Sequence, residues 1–430
     1  KGTGRSDARC AAALPRVPGA ERVIGACLAD LTTAGTIPSG HTDPDDWAGL
    51  EAPGTVNPTG VRGIQLDGYF PDSSTTNATH GWNHDSQFVI RLPDRWNGGL
   101  VVAGTPGTRE QYANDRMIGD SALAKGFAYA ATDKGNTGSH VYRDSRRPGD
   151  AIAEWNLRLT QLTVAAKRVA KQRYGRMPAH TYAAGVSAGG YLVRWQLENF
   201  PRLYTAGIDW EGLLLTRDAP NVLSTAPPAL RAYPRYRAGE PGAAEAMYAA
   251  GYPSGSEPLW DVHYRTLWDA LQRLIREEVD PEYDGALEAG TPFCPEGTGP
   301  GCDTDYVYTD RPDEVHDTVD RLSLTGRVKR PLITLQGTLD VLLPISRSGD
   351  AYDAMVEASG RGGLHRYYRI TDGNHFDGLY AAHPALVRPM LPCFRAAFDA
   401  LTAWTEHGAA PPPSRTVPRT GGDPVNSCAL

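Results

Sequence analysis

Apolar positions change their period in a regular order along this chain. Residues 61–70 and 85–92 alternate apolar and polar side chains, the two-residue period of a strand with one covered face. The runs at 99–103 (GLVVA) and 127–133 (FAYAATD) read as further strands. Apolar residues then recur at helical spacing at Ile152, Trp155, Leu159, Leu162, Ala166 and Val169, which predicts a helix over 152–174. A strand at 181–184, a helix at 188–200 and a strand at 205–208 follow. Strands alternating with helices predict an α/β fold, a mostly parallel sheet flanked by helices. The alternation stops at residue 213. Residues 213–325 carry Pro/Gly-rich segments and one amphipathic helix, 259–279, before strand-like runs resume at 331–336 and 365–370. A block without sheet pattern between sheet strands reads as a large inserted lid domain. The expected organisation is therefore an N-terminal arm (1–60) laid over a core built from 61–212 and 326–408, the lid (213–325), and a Pro-rich tail (409–430) extended over the surface.

Composition narrows the classes. With 40% hydrophobic and 22% charged residues among 430, there is ample material for a core, so general disorder is excluded. The net charge of −7 argues against nucleic acid as a partner, because phosphate binding needs a basic surface. No apolar run approaches the length of a membrane span. The six cysteines stand at 10, 27, 294, 302, 393 and 428, with neither CxxC nor zinc-finger spacing. Cys294 and Cys302 bracket a Pro/Gly-rich loop suited to a local disulfide. Cys10–Cys27 and Cys393–Cys428 are the remaining pairs by proximity, although six cysteines allow about 15 connectivities. Disulfides imply an oxidising compartment, and the chain reads as a mature secreted protein without its signal peptide.

The chemistry centres on Gly185-Val186-Ser187-Ala188-Gly189, a G-x-S-x-G motif between a short strand and a helix. That context predicts a tight turn that lifts the Ser187 hydroxyl above the sheet edge and aims the Ala188 N–H at a developing oxyanion. A serine hydroxyl needs a base and an orienting acid. In the α/β-hydrolase arrangement these follow in the order Ser, Asp, His. Asp340 ends the strand 331–336 through Gly337-Thr338-Leu339-Asp340, and His375 lies in the loop beyond 365–370. His365, at the start of its strand, falls at the wrong edge. His383, His263 and His316 are the other rivals for the base, and Asp209 and Glu211 for the acid. Asp372 and Asp377 flank His375 as loop carboxylates. The loop after 99–103 (Gly104-Thr105-Pro106-Gly107-Thr108) offers the second oxyanion donor, assigned to the Thr105 backbone N–H.

The stretch Trp155, Arg158, Thr163, Ala166-Lys167, Tyr174-Gly175 and Gly185 to Gly190 resembles the tannase and feruloyl esterase family. It is also similar to the related hydroxybutyrate-oligomer hydrolases. The turn Thr132-Asp133-Lys134-Gly135 and the segment Gly373-Asn374-His375-Phe376-Asp377 look like the same superfamily. The resemblance covers roughly 60–210 and 330–395. It implies an α/β-hydrolase fold with a lid, Ser187 as nucleophile, Asp340 as acid, His375 as base, and hydrolysis of phenolic-acid esters. In one respect the chain departs from the pattern: family members carry disulfide-linked cysteines beside the catalytic serine and histidine, and here those neighbours are Val186 and Phe376. Some lids of the family hold calcium. Asp303, Asp305 and Asp310 do not match the EF-hand spacing, so no cofactor or metal is expected, with lid calcium kept as the alternative.

The leading expectation is a secreted, monomeric serine ester hydrolase that cleaves feruloyl esters of plant cell-wall polysaccharides or small aryl esters. Hydrolysis of short hydroxyalkanoate oligomers is the second. A serine exopeptidase is the third, with Glu211 holding the substrate amine. Substrate contacts are expected from Trp210, Glu211, Trp260, Trp268 and Tyr306, the lid aromatics stacking on the acid.

Overall fold

The computed structural model describes residues 10, 12, 14–141, 146–283 and 303–430. Ten strands form one sheet: β1 (Arg22–Leu28), β2 (Gly63–Tyr69), β3 (Gln87–Pro93), β4 (Gly99–Gly104), β5 (Ala128–Thr132), β6 (His180–Val186), β7 (Ala206–Trp210), β8 (Leu332–Gly337), β9 (His365–Ile370) and β10 (Arg415–Val417). Their order is β1-β2-β3-β5-β4-β6-β7-β8-β9-β10. The strands from β5 to β10 pair in parallel, while β1, β2 and β3 extend the sheet antiparallel beyond β5. This is the mostly parallel, helix-flanked sheet expected from the alternating pattern, in the α/β-hydrolase arrangement that the resemblance implies.

Among the described residues the α-helices are α1 (Thr33–Ser39), α2 (Asp120–Ala124), α3 (Asp150–Tyr174), α4 (Ala188–Asn199), α5 (Val222–Arg237), α6 (Ala243–Ala249), α7 (Trp260–Thr266), α8 (Trp268–Val279), α9 (Asp313–Leu322), α10 (Gly349–Ala358) and α11 (Leu391–His407). Successive strand residues face opposite cores, as the pleat requires. Leu100 and Val102 meet Trp155, Leu159 and Leu162 of α3 and Tyr191 and Leu192 of α4. Val101 and Ala103 join the other core with Met117, Leu123 and, from α11, Phe394, Ala397 and Leu401. Strands buried on both faces read as continuous apolar runs, which is why GLVVA was legible.

The structure differs from expectation at both ends. Residues 22–28, expected in a covering arm, form β1 and pair with β2 over all seven residues. Residues 415–417, expected in a surface tail, form β10 beside β9. Both are edge strands held by main-chain hydrogen bonds, and neither carries a strong apolar alternation. The helix expected over 259–279 is two helices, with Leu267 between them at φ −128°, ψ −47°. A tryptophan opens each half and is buried with its own hydrogen bond, from Trp260 to Ser256 Oγ at 2.9 Å and from Trp268 to the Val341 carbonyl at 2.6 Å. Helix α5 forms despite Pro227, Pro228 and Pro234, starting from a capping box between Asn221 and Ser224.

Cys10–Cys27 and Cys393–Cys428 are disulfides. Cys294 and Cys302 lie outside the described residues. Among the described residues no helix is long and apolar enough to cross a membrane.

Candidate active site

The turn between β6 and α4 holds Ser187 at φ 57°, ψ −115°, a conformation that L-residues seldom adopt and that costs on the order of 1–3 kcal/mol. Three backbone bonds keep it there. Ser187 N–H donates to the Trp210 carbonyl at 2.9 Å, and the Ser187 carbonyl accepts from Leu213 and Tyr191 N–H at 3.1 Å each. The glycines answer to close approach. A Cβ on Gly189 would stand 1.8 Å from the Gly104 carbonyl oxygen, and one on Gly185 would stand 2.2 Å from that of Gly189. The elbow therefore packs directly on the end of β4.

Two further loops meet at the same edge. A Cβ on Gly337, at the end of β8, would lie 2.1 Å from the Gly373 carbonyl oxygen beyond β9, and Leu339 N–H donates to that carbonyl at 2.9 Å. This contact sets Asp340 beside His375. Asp377 anchors the second loop by accepting Met390 and Leu391 N–H at the start of α11, at 2.7 and 2.9 Å.

The side chains brought together are Ser187, His375 and Asp340. His375 Nε2 lies 2.9 Å from Ser187 Oγ, and Nδ1 lies 2.9 Å from Asp340 Oδ2. Asp340 is fully buried. Burial alone would raise its carboxyl, but the facing imidazole, the N–H groups of Leu342 and Leu343 and the Gln336 amide hold it below the ordinary value. The imidazole thus has a hydroxyl on one nitrogen and a carboxylate on the other, the geometry in which it can take the hydroxyl proton.

Four of the rival residues, Asp209, His365, His263 and His316, are occupied elsewhere. Asp209 pairs with Arg194 at 2.9 Å and accepts from Thr334 and Gly212. His365 lies between Asp353 and Thr334. His263 is buried in the lid with Nδ1 against the Leu259 carbonyl, and burial pushes it down to about 4. His316 Nδ1 sits 3.0 Å from the Arg217 carbonyl oxygen.

Above Ser187 lies a cavity of about 530 Å³ between the sheet edge and the lid. Its apolar wall is mostly aliphatic, with Leu267, Leu271, Leu274 and Ile275 from the lid and Leu342 and Leu343 from the loop after β8. Among the described residues, Trp155 and Phe376 are its aromatic members beside His375. Arg109 and the ion pair Asp269–Arg273 (2.6 Å) supply charge. Ala188 lines the cavity floor. Thr105, which precedes the lining residue Pro106, is buried, its hydroxyl accepting from Lys134 Nζ at 2.6 Å. Burial lowers that ammonium to about 8.

The expected substrate contacts need correction. Trp210 faces the opposite core and packs on Phe394, with ring centroids 5.7 Å apart. Trp260 and Trp268 are buried with Tyr233, Tyr252 and Tyr264 of the same inserted segment and with Val341, Leu342 and Val387 from outside it. Tyr306 is buried, donating to Asp280 at 3.0 Å. None of the four lines the cavity, because each is buried in packing elsewhere. Glu211 is fully buried behind His375, with Oε2 3.2 Å from Nδ1, and so is not placed to hold a substrate amine. The lining residues missed from sequence had one signal: Leu267, Leu271, Leu274 and Ile275 recur at the spacing of one helix face. Of the lid acids, Asp303 pairs with Arg276 at 2.7 Å and Asp305 with Tyr283.

Fold and site together define the class, an α/β-hydrolase with a serine, a histidine and an aspartate in relay. Comparison with known proteins then bears out the resemblance read from the motifs. Residues 74–208 match the family described as tannase and feruloyl esterase, and residues 290–430 match that of 3HB-oligomer hydrolase. The chain is 35% identical over 120 residues to a D-(-)-3-hydroxybutyrate oligomer hydrolase of Burkholderia thailandensis, covering 26% of this chain and 17% of that protein. With the same-named protein of Cupriavidus metallidurans it shares 33% over 101 residues, 22% of this chain and 14% of that protein. The matched region is thus less than a fifth of the length of these relatives. Feruloyl esterase B from Aspergillus oryzae superposes with a TM-score of 0.52 at 14% identity, covering 94% of this chain and 91% of that one. Another Aspergillus oryzae esterase gives 0.55 at 14%, covering 97% and 93%. At this identity the likeness is one of fold.

Proposed function

We propose that the chain is a secreted serine carboxylic-ester hydrolase acting on short aliphatic esters, hydroxyalkanoate oligomers foremost. One observation carries the reading: the Ser187–His375–Asp340 relay, with both contacts at 2.9 Å, opens into a cavity whose apolar wall, among the described residues, is mostly leucine and isoleucine. Ser187 Oγ attacks the ester carbonyl while His375 Nε2 takes its proton, and Asp340 stabilises the imidazolium. The N–H groups of Ala188 and Thr105 receive the oxyanion. His375 returns the proton to the leaving alcohol. Water, activated by the same nitrogen, then releases the acid from the acyl-enzyme. The aliphatic wall suits a methyl-branched acyl chain, and Arg109 with Asp269–Arg273 gives its hydroxyl or carboxyl ends polar partners. The same-class relatives named for hydroxybutyrate oligomers support this choice. The two disulfides support an oxidising compartment.

A second reading, hydroxycinnamate esters, rests on Trp155 and Phe376 as aromatic walls and on the tannase and feruloyl esterase match. The test is hydrolysis of 3-hydroxybutyrate dimer and trimer, p-nitrophenyl butyrate, methyl ferulate and an aminoacyl p-nitroanilide. Aliphatic esters are expected to have the highest kcat/KM. Faster turnover of methyl ferulate selects the second reading, and cleavage of the anilide alone overturns both. Ser187→Ala is expected to cost about 10⁴-fold or more in kcat on any substrate cleaved.

A further inference from the structure

Glu211 has no part in the relay just described, yet its position is unusual. It follows β7 directly, at φ 51°, with its N–H donating to the Leu335 carbonyl at 2.7 Å. Its carboxyl is fully buried, and neither oxygen has a hydrogen-bond donor among the described protein groups. Oε2 is 3.2 Å from His375 Nδ1, the nitrogen that Asp340 faces at 2.9 Å. One oxygen of each acid and one imidazole nitrogen lie within 4.8 Å of one another.

Two buried carboxyls therefore face a single N–H. Like charges this close cannot both persist away from water, so one carboxyl keeps a proton. The donor count says which. Asp340 receives Leu342 N–H, Leu343 N–H and the Gln336 amide in addition to the imidazole, all of which favour its ionised form. Glu211 receives none of these. We propose that Glu211 is a positioning residue held as a neutral carboxylic acid, its proton donated to Asp340, so that the one negative charge of the cluster stays on the carboxylate that orients His375. The inference rests on the triad reading given above. Burial first, then the Asp340 charge and the hydrogen bond to Asp340, push the Glu211 carboxyl well above its ordinary range. The other titratable groups around it are Asp209 of β7 and Asp377 before α11, with His263 of the lid near Asp340 and His375. Both aspartates oppose ionisation of Glu211, and the buried His263, lowered to about 4, adds no cation at neutral pH.

The experiment uses the full chain and two substitutions of similar size. Glu211→Gln copies the neutral acid and its donor, and Glu211→Leu removes the donor. Infrared difference spectra at pH 7, native minus Glu211→Gln, are expected to show the C=O stretch of a protonated carboxyl. The acid limb of kcat/KM against pH should stay in place in Glu211→Gln. An ionised Glu211 would instead support the imidazolium, and its loss would move that limb down by about a pH unit or more. Glu211→Leu should lower kcat about tenfold to a hundredfold with KM little changed, the size expected for one lost hydrogen bond to a charged group. Absence of the carboxyl band, a shifted acid limb in Glu211→Gln, or equal kcat in the two variants overturns the proposal. If Glu211→Leu fails to fold, the spectrum and the Glu211→Gln profile decide alone. Failure of the triad reading is distinguishable, since Ser187→Ala would then retain activity while the carboxyl band persists.

Discussion

Gly189→Ala tests whether the elbow's contact with β4 sets catalytic geometry. The added Cβ would lie 1.8 Å from the Gly104 carbonyl oxygen, 2.2 Å from its carbon and 2.9 Å from its Cα. Real Cβ atoms essentially never stand closer than 3.0 Å to a neighbour, so elbow and strand must part by at least 3.0 − 1.8 = 1.2 Å. Every clashing atom is backbone, and β4 is held on both sides by β5 and β6. The elbow must therefore yield, carrying Ser187 Oγ and the Ala188 N–H away from His375 and from the Thr105 loop. Overpacking of this kind costs about 1–3 kcal/mol, which lowers the melting temperature of a chain this long by roughly 1–3 °C. The catalytic effect is larger, because about 1 Å of misplacement costs on the order of 10²-fold. The assay is kcat/KM on p-nitrophenyl butyrate beside a melting curve, with Gly363→Ala as control. Gly363 has nothing within 4 Å of a built Cβ and should behave as native. A Gly189→Ala protein with native melting and kcat/KM within about threefold of native would refute the reasoning, since an error of that size leaves no room for a 1 Å displacement.

Asp340→Asn is expected to lower kcat about 10⁴-fold by removing the charge that orients the imidazole, whereas Asp209→Asn, paired with Arg194 and away from His375, should act mainly on melting temperature; a larger kinetic loss for Asp209→Asn would move the acid to β7. Trp268→Ala should cost about 3–5 kcal/mol of stability, read by denaturant unfolding, while leaving the ratio of aliphatic to aryl ester activity unchanged, because the indole is buried in the lid's core; a changed ratio with unchanged stability would put Trp268 at the substrate.

What the sequence determined by itself was what local chemistry encodes. Strands buried on both faces, such as β4 and β8, must be apolar throughout, and α3 must show its buried stripe, so the central strands and their helices were readable, though not the order of the strands in the sheet. The elbow was readable because only glycine fits where Gly185 and Gly189 meet backbone, which writes G-x-S-x-G into the chain. Asp340 and His375 followed from their places after β8 and β9. The tertiary structure alone decided the rest. Edge strands β1 and β10 are held by main-chain bonds that leave little trace in side-chain pattern. The lid's tryptophans could have faced the substrate or each other. Only packing showed that Trp260 and Trp268 bury one another's surroundings, while leucines at 267, 271 and 274 cover the site. Glu211 reads in sequence as a rival acid after the strand 205–208 or a holder of a substrate amine, and what makes it unusual, a second carboxyl 3.2 Å from the same imidazole nitrogen, exists only where β7, β8 and β9 end side by side.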